Sequence, residues 1–371
     1  MKPWQTLILI ALSLLPFLIY LFKPEMIGAD TYWYINQACG IMGHKSNDLL
    51  FDALNSIMPC NIPLMKLYGA ALFAGFVFVF AKIGELYDPE KGWWLGLMAC
   101  SFSFIITEFF MYQNEPIAYL LFALSLYLVI KHSMKKNYFF LSISILLWLI
   151  SGLFWKGTIY WGLTLIIYSP ILAVIIIPAI IYYWGQYWWF MYADNSIAFY
   201  VPLIGIIYLG ITSLFLFGLL KSTKKQALMW LISIPYVLFV QRLYVISVPS
   251  ALIISFNAIR TLKIRKETVE ATLVTFTLFM AIFWGMHVFQ EFPTQGDIDL
   301  VRELREQTDT IENSFGPGYF LIYEGFNVSS YGWPRLPNDY NLIGYVVLEK
   351  GVDENRCPTI QFSENLKILK C

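Results

Sequence analysis

Residues 7–22 read LILIALSLLPFLIYLF, and apolar runs of this kind recur along most of the chain. Of the 371 residues, 58% are hydrophobic and 13% are charged, which leaves too little polar surface for a water-soluble globule of this size. A helix needs about 20 residues to cross a bilayer. Runs that approach this length cover 5–22, 63–83, 92–111, 116–131, 138–154, 197–220, 226–241, 243–259 and 268–287. These features predict an all-α polytopic protein of the cell membrane.

Three basic turns set the predicted orientation: KHSMKK at 131–136, KSTKK at 221–225 and RTLKIRK at 260–266. Under the positive-inside rule these turns face the cytoplasm. Counting spans from them places the amino terminus inside, and it places residue 30 and everything after His287 outside. We interpret the first apolar run as a retained helix, because no small-residue cleavage site follows it.

Residues 157–184 contain no charged turn and are interrupted only by Pro170 and Pro178. The orientation requires either two crossings here or a re-entrant pair, and a re-entrant pair must be shielded from lipid by protein. We predict two short helices, which brings the chain to about 11 membrane spans.

The sequence predicts two domains. Residues 1–290 form a transmembrane module whose first outer loop, 23–63, is unusually large, and residues 291–371 form a small extracytoplasmic α/β domain. Loops longer than about 12–15 residues are usually functional or disordered. This loop is rich in aromatic residues, and we predict a short interfacial helix at 31–42 within it.

The carboxy-terminal segment has the patterns of a soluble domain. Apolar residues spaced at helical intervals predict a helix at 297–308. The apolar runs at 319–323 and 342–348 predict two strands.

The cysteines agree with the predicted orientation. Cys39 and Cys60 fall in the first outer loop, and Cys357 and Cys371 fall in the outer carboxy-terminal segment, where disulfides persist. Cys100 lies alone within an apolar run. Disulfides that pair 39 with 60 and 357 with 371 are one possibility, and free thiols are the other, because sequence does not show geometry.

Five ionisable residues lie at the predicted outer ends of helices: Asp30, Glu108, Glu115, Lys156 and Arg242. A charge at a helix end often only reaches the interface, so one alone indicates little. Five at one face indicate a site. The planar guanidinium of Arg242 suits phosphate, and Lys156 offers a second cation beside a glycine.

Competing chemistries find no support in the sequence. It has no P-loop, GxGxxG, HExxH, CxxC or GxSxG motif. The formal net charge is +0, which gives no indication of a nucleic-acid partner. The histidines at 44, 132 and 287 are scattered, so a zinc site is not expected.

Four stretches, taken in order, resemble the GT-C class of membrane glycosyltransferases, and within it a shortened oligosaccharyltransferase catalytic subunit. They are GADTYWY at 28–34, QNE at 113–115, FWKGTIYW at 154–161 and QRLYVISVPSALI at 241–253. The resemblance implies a GT-C fold and a polyprenyl-linked sugar donor.

The resemblance also implies roles for individual residues. Asp30 and Glu115 would be catalytic and would hold Mg²⁺ or Mn²⁺, whereas GT-C enzymes that use dolichyl-phosphate monosaccharides work with an aspartate base and no metal. Both alternatives stay open, since Gln113 stands where the family has Asp. Arg242 would bind the donor phosphate together with Lys156.

The acceptor region departs from the family pattern. The family's Trp-Trp-Asp-Tyr-Gly corresponds here to VSSYG at 328–332, which keeps only Tyr331 and the glycine. The residues that read a sequon hydroxyl are therefore missing, and the expected acceptor is a glycolipid or a protein with another signal. Tyr32, Trp33 and Tyr34 complete the predicted acceptor and headgroup region.

The predicted function is an inverting extracytoplasmic glycosyl transfer from a polyprenyl phosphate or diphosphate donor, with Asp30 as the base. Two alternatives stay open. A lipid-carrier flippase or transporter would line a path with the same charges, and a non-catalytic scaffold derived from a GT-C enzyme would bind the donor without turnover.

Overall fold

The computed structural model describes residues 1–41, 49–101, 103–182, 218, 220–228, 231, 247–315, 317–332, 344–349 and 357–370. Arg242 and most of the predicted spans 197–220 and 226–241 lie outside these residues. The described chain is mostly helical, with one small sheet.

Thirteen longer helices and one short one are labelled here in chain order within the described residues. They are α1 Pro3–Tyr20, α2 Ala29–Ala38, α3 Leu49–Ile57, α4 Ile62–Tyr87, α5 Trp93–Ser101, α6 Ser103–Phe110, α7 Glu115–Lys135, α8 Tyr138–Phe154, α9 Gly157–Tyr168, α10 Pro170–Tyr182, α11 Ser247–Thr261, α12 Lys266–His287, α13 Gln295–Gln307 and α14 Gly318–Tyr323. The strands are β1 Thr310–Phe315, β2 Asn327–Gly332, β3 Tyr345–Glu349, β4 Thr359–Phe362 and β5 Leu366–Lys370.

Four of these helices, α1, α4, α7 and α12, are long and apolar enough to cross a membrane. They match the predicted spans at 5–22, 63–83, 116–131 and 268–287. Helices α8, α9 and α10 are shorter and also apolar. The prediction of a mostly helical chain with apolar helices of membrane-spanning length is thus confirmed, while the count of about 11 spans stays a prediction.

The segment 157–184 forms two helices in its described part, as predicted. Helix α9 ends at Tyr168, and α10 begins at Pro170 with a short 3₁₀ turn. Proline suits this position because it lacks the N–H that the first turn of a helix leaves unpaired. Whether the pair crosses or re-enters stays a prediction.

The chain divides into two compact units. The first comprises Met1–Leu15, Ala70–Phe109 and Asn114–Ile282, and the second comprises Pro16–Gly69, Phe110–Gln113 and Phe283–Cys371. The second unit thus combines the first outer loop with the carboxy-terminal segment. The predicted domain limits at 290 and 291 stay a prediction.

Within the first unit, small polar side chains pair neighbouring helices. On α7 and α8, Ser125 Oγ donates to the Ser144 carbonyl at 2.8 Å, and Ser144 Oγ donates to the Ser125 carbonyl at 2.9 Å. On α8 and α9, Trp148 Nε1 donates to the Thr158 carbonyl at 3.2 Å. Such small and hydroxyl residues allow close helix packing in a membrane.

The three basic turns lie at one end of the first unit. Lys225 Nζ donates to Ser133 Oγ at 3.2 Å, which joins the turns at 131–136 and 221–225. Lys225 also lies 6.0 Å from the Tyr168 ring, and the Tyr168 and Tyr87 hydroxyls are 3.2 Å apart. Arg260 Nη1 donates to the Tyr87 carbonyl at 3.1 Å, which adds the third turn. The ends of α4, α7, α9 and α11 therefore meet here.

The second unit contains a five-stranded sheet of order β2-β1-β3-β5-β4. Strand β1 pairs in parallel with β2 and β3, while β5 runs antiparallel to β3 and β4. Strand β3 confirms the predicted strand at 342–348 in its described part. Val346, Leu348 and Leu369 form the buried centre of the sheet.

The predicted helix at 297–308 is confirmed as α13, with a start two residues earlier. The Thr294 side chain caps it by accepting from the Asp297 N–H, and Asp297 accepts in return from the Thr294 N–H at 2.8 Å. Burial alone would raise the pKa of Asp297, but hydrogen bonds from Asn365 and Ser363 bring that pKa below its usual value. This carboxylate therefore joins the start of α13 to the sheet.

The strand predicted at 319–323 is wrong, because this segment is the helix α14. A short apolar run does not by itself distinguish helix from strand. The deciding contacts come from α2: Tyr32 lies 5.1 Å from Phe320 and 5.3 Å from Tyr323, measured between ring centres. Asn36 Nδ2 also donates to the Tyr319 carbonyl at 2.8 Å. These partners lie on one face of a helical turn.

The first outer loop is cross-linked by a disulfide between Cys39 and Cys60. Cys357 is also disulfide-bonded, and its predicted partner Cys371 lies outside the described residues. Cys100 is a buried free thiol in α5. The disulfide alternative is therefore correct for the first outer loop.

Candidate functional site

Asp30 is the second residue of helix α2, which confirms the predicted helix at 31–42 with shifted limits. Gly28 precedes the helix with φ +87° and ψ 130°, a conformation that suits glycine. Its N–H donates to the Phe292 carbonyl at 2.9 Å, and its carbonyl accepts from the Thr31 N–H at 3.2 Å. The structure fixes the backbone of Asp30, while its side chain is outside the description.

Met111 packs against this turn within the second unit. A Cβ built on Gly28 would lie 2.9 Å from the Met111 sulfur, so only glycine fits without a shift. The next residue, Tyr112, donates from its hydroxyl to Asn55 Oδ1 at 2.9 Å, and Asn55 Nδ2 donates to the Tyr34 carbonyl at 3.0 Å. The GADTYWY stretch therefore packs against Met111 directly and is connected to Tyr112 through Asn55.

The three aromatic residues of α2 have different surroundings. Tyr32 is fully buried against α14, and it serves packing in this structure. Trp33 and Tyr34 are half-buried, with Trp33 4.8 Å from the Tyr319 ring and Tyr34 4.9 Å from the Phe51 ring. A headgroup contact by Trp33 and Tyr34 stays a prediction.

Sequence reasoning missed a buried charged group in the second unit. Lys23, Glu25 and Lys66 are 4%, 7% and 2% exposed. Lys23 Nζ donates to the Val288 and Glu291 carbonyls at 2.8 and 2.7 Å, just beyond the end of α12. Burial lowers the pKa of Lys23 to about 8, although the charge of Glu25 opposes this shift.

Lys66 has the same role at the end of α1, where its Nζ donates to the carbonyls of Tyr20 and Lys23. Lysines near a helix carboxyl terminus satisfy its last carbonyls and its dipole. The two lysines are therefore helix caps. Nothing in the sequence pattern indicates this, because it depends on contacts between distant segments.

Glu115 and Lys156 both belong to the first unit. Glu115 lies half-buried in the first turn of α7, where a carboxylate interacts favourably with the helix amides. Lys156 is the residue that precedes α9. The neighbouring Asn114 Nδ2 donates to the Phe154 carbonyl at 2.9 Å. QNE and FWKGTIYW therefore contact each other in the first unit.

Aromatic rings in α7, which begins at the last residue of QNE, pack against the tryptophan rings of FWKGTIYW. The Tyr119 and Trp161 rings stack with centres 5.2 Å apart and an interplanar angle of 16°. Trp155 lies 5.6 Å from Tyr119 and 5.9 Å from Trp161, and Phe122 lies 4.8 Å from Trp161. Tyr119 is one helical turn after Glu115, so the aromatic group follows the charged turn directly.

A small apolar recess lies beside these rings, inside the first unit. It is lined by Phe76, Tyr119, Phe122, Ala123, Trp161, Val248 and Pro249. The last two residues belong to QRLYVISVPSALI. Tyr119, Trp161 and Val248 lie near the starts of α7, α9 and α11. Helices α7 and α11 end at basic turns, and α9 ends at Tyr168, whose ring lies 6.0 Å from Lys225 Nζ. The recess is thus at the opposite end of the unit from those turns.

Trp161 is a further residue that sequence reasoning did not single out. It is 1% exposed, and its Nε1 has no hydrogen-bond partner among the described residues. A buried donor without an acceptor is costly, so this N–H is a feature of the site that the described residues leave unexplained. The sequence offered one indication that Trp161 belongs to the site, which is its position in the FWKGTIYW stretch.

Besides Asp30, two predicted site residues have no described side chain. Arg242 lies outside the described residues altogether. Tyr331 lies in strand β2, where it is paired in register with Ser314. VSSYG makes up the last five residues of β2, which is an edge strand of the sheet. Their roles as phosphate and acceptor contacts stay predictions.

The described residues do not make up a metal site. Among them, no three His, Cys, Asp or Glu side chains come together in a way that could hold an ion. Gln113 supplies an amide where the resemblance expects a carboxylate. Binding of Mg²⁺ or Mn²⁺ stays a prediction, and no step below is routed through a metal.

No protein-family model matches this chain, and no curated protein matches it. The resemblance to the GT-C class therefore depends on the four stretches and their arrangement.

Proposed function

We propose that this chain is a GT-C-type glycosyltransferase with about 11 spans, which moves a sugar from a polyprenyl phosphate or diphosphate to an acceptor outside the cytoplasm. In this proposal the amino terminus is cytoplasmic, and the transfer site and carboxy-terminal segment are extracytoplasmic.

One observation carries the proposal: three of the four stretches meet in the first unit. QNE contacts FWKGTIYW through Asn114 and Phe154. The recess then combines Trp161 of FWKGTIYW with Val248 and Pro249 of QRLYVISVPSALI. Segments that are far apart in sequence supply a polar turn and an apolar recess side by side. This combination suits a ligand with a polar head and an isoprenoid tail.

The fourth stretch supports the same proposal from the second unit. Gly28 contacts Met111, two residues before Gln113. Met111, in the segment Phe110–Gln113 of the second unit, thus lies against the start of GADTYWY. We propose that Asp30 acts next to this segment.

The proposed reaction is a single displacement. Asp30 accepts the proton of the acceptor hydroxyl while that oxygen bonds to the anomeric carbon, and the bond from this carbon to the phosphate oxygen breaks. The leaving polyprenyl phosphate keeps the electron pair, and Lys156 and Arg242 stabilise its charge. Trp161 Nε1–H donates to a phosphate or sugar oxygen. Attack from the opposite face inverts the anomeric centre.

The acceptor in this proposal is a glycolipid or a protein recognised by a signal other than the Asn-x-Ser/Thr sequon. VSSYG lacks the tryptophans and the aspartate that would bind the sequon hydroxyl.

The test is a transfer assay in proteoliposomes with a radiolabelled polyprenyl-phosphate sugar. Asp30→Asn should lose at least about a hundredfold in rate and still fold, because general base catalysis contributes about 10²–10⁴. The matched control is Asp299→Asn, which makes the same replacement of a carboxylate by an amide at an exposed position of α13. This variant should keep full activity.

The alternatives predict different results. A transporter would move the labelled lipid between leaflets without forming product, and a scaffold would bind it without turnover. Full transfer by Asp30→Asn would contradict the assignment of the base.

A further inference from the structure

The end of the first unit that carries the three basic turns contains the guanidinium of Arg260, which pairs with no carboxylate among the described residues. We infer that this end binds the phosphate of an anionic phospholipid headgroup, with Arg260 at the centre of the site. This inference is independent of the glycosyl transfer, because it concerns the opposite end of the unit from the apolar recess.

Arg260 is half-buried at the end of helix α11. Its Nη1 donates to the Tyr87 carbonyl at 3.1 Å, but its Nε is buried and has no acceptor among the described residues. Within that part of the chain, no carboxylate lies within ion-pair distance of it. Burying a cation without a partner is unfavourable, and phosphate matches the paired donors of a guanidinium.

Two carboxylates of this region, Glu270 and Glu90, contact other described groups. Glu270 Oε1 accepts from Trp93 Nε1 and Trp94 Nε1 at 3.2 and 3.3 Å. Glu90 pairs with Lys266 at 3.4 Å. They therefore do not neutralise Arg260.

Two further cations complete the site. Lys91 Nζ donates to the Arg260 carbonyl at 2.9 Å and lies 5.4 Å from the Trp94 ring. Lys225 is exposed and lies 6.0 Å from the Tyr168 ring. The Tyr168 hydroxyl contacts the Tyr87 hydroxyl, and the Tyr87 carbonyl accepts a hydrogen bond from Arg260. Tryptophan rings beside lysine and arginine are typical of the headgroup level of a membrane. Basic pockets between membrane helices bind anionic headgroups.

Binding of lipids to the full-length protein can be measured by native mass spectrometry after delipidation in detergent. We expect phosphatidylglycerol to bind at least about tenfold more tightly than phosphatidylcholine, since each cation near an anionic headgroup contributes roughly a fivefold factor. Arg260→Gln and Lys225→Gln should each lower phosphatidylglycerol affinity about fivefold. The charge-matched control Lys367→Gln, in β5, should have no effect.

Arg260 also donates a hydrogen bond to the Tyr87 carbonyl, so Arg260→Gln affects the stability of the fold as well as lipid affinity. Lys225 is exposed, and its described contacts are those to Ser133 Oγ and the Tyr168 ring, so Lys225→Gln keeps the experiment decisive if Arg260→Gln does not fold. Equal affinity for the two lipids, or unchanged phosphatidylglycerol binding by Lys225→Gln, would overturn the inference. Displacement of phosphatidylglycerol by millimolar inorganic phosphate would assign the site to a free anion instead and would also overturn it.

Discussion

Gly28 gives the sharpest prediction about the segment that positions Asp30. Its backbone, at φ +87° and ψ 130°, costs a non-glycine residue about 1–3 kcal/mol. A Cβ there would also lie 2.9 Å from the Met111 sulfur, and such overpacking costs about 1–3 kcal/mol. Gly28→Ala should therefore lower the free energy of unfolding by about 2–6 kcal/mol.

Gly40 provides a matched control, because it also has a positive φ, +69°, but its Cβ would meet nothing within 4 Å. Gly40→Ala should cost only the left-handed backbone term, about 1–2 kcal/mol. Both variants can be unfolded reversibly in mixed micelles and followed by tryptophan fluorescence.

The part of the Gly28→Ala loss that comes from the clash with Met111 can be measured separately by a double-mutant cycle with Met111→Ala. Removing the sulfur should recover about 1–3 kcal/mol in the Gly28→Ala background, which appears as a coupling energy. A Gly28→Ala loss no larger than that of Gly40→Ala, together with no coupling to Met111, would refute the reasoning about this turn.

Three further predictions follow from named contacts. Replacing Cys39 and Cys60 by Ala should cost about 3 kcal/mol, from a sequence separation of 21, and reduction of the wild type should give the same loss. Trp161→Phe and Trp148→Phe each remove volume from a fully buried ring, so both should lower thermal stability, but only Trp161→Phe should also lower transfer, about tenfold. Burial lowers the pKa of Lys23 from 10.5 to about 8, so the wild type should gain stability relative to Lys23→Met as pH rises between these values. The gain is at most about 1.4 kcal/mol per pH unit, and a constant difference would contradict it.

The helices were predictable because their signals are local. Apolar runs of membrane length located α1, α4, α7 and α12, and the prolines after Tyr168 located the break between α9 and α10. The spacing of apolar residues located α13.

The errors and omissions concern contacts between distant segments. Residues 319–323 read equally well as strand or helix, and packing against Tyr32 decided for the helix. The capping lysines at 23 and 66 were missed because their carbonyl partners lie in other segments. The sequence predicted which stretches contribute to the candidate site. It did not predict the recess beside Trp161, because residues of α4, α7, α9 and α11 line this recess only after the chain has folded.

In the proposed function, the lipid tail of a sugar donor lies against the residues that line the recess beside QNE. A polyprenyl-phosphate sugar with a photoreactive diazirine on its first isoprene unit tests this contact, with cross-linked peptides identified by mass spectrometry. We expect labelling of peptides that contain Tyr119, Trp161 or Val248, and competition by unlabelled donor. Labelling that resists competition and falls mainly on Phe279 and Met286, exposed on the surface of α12, would contradict it.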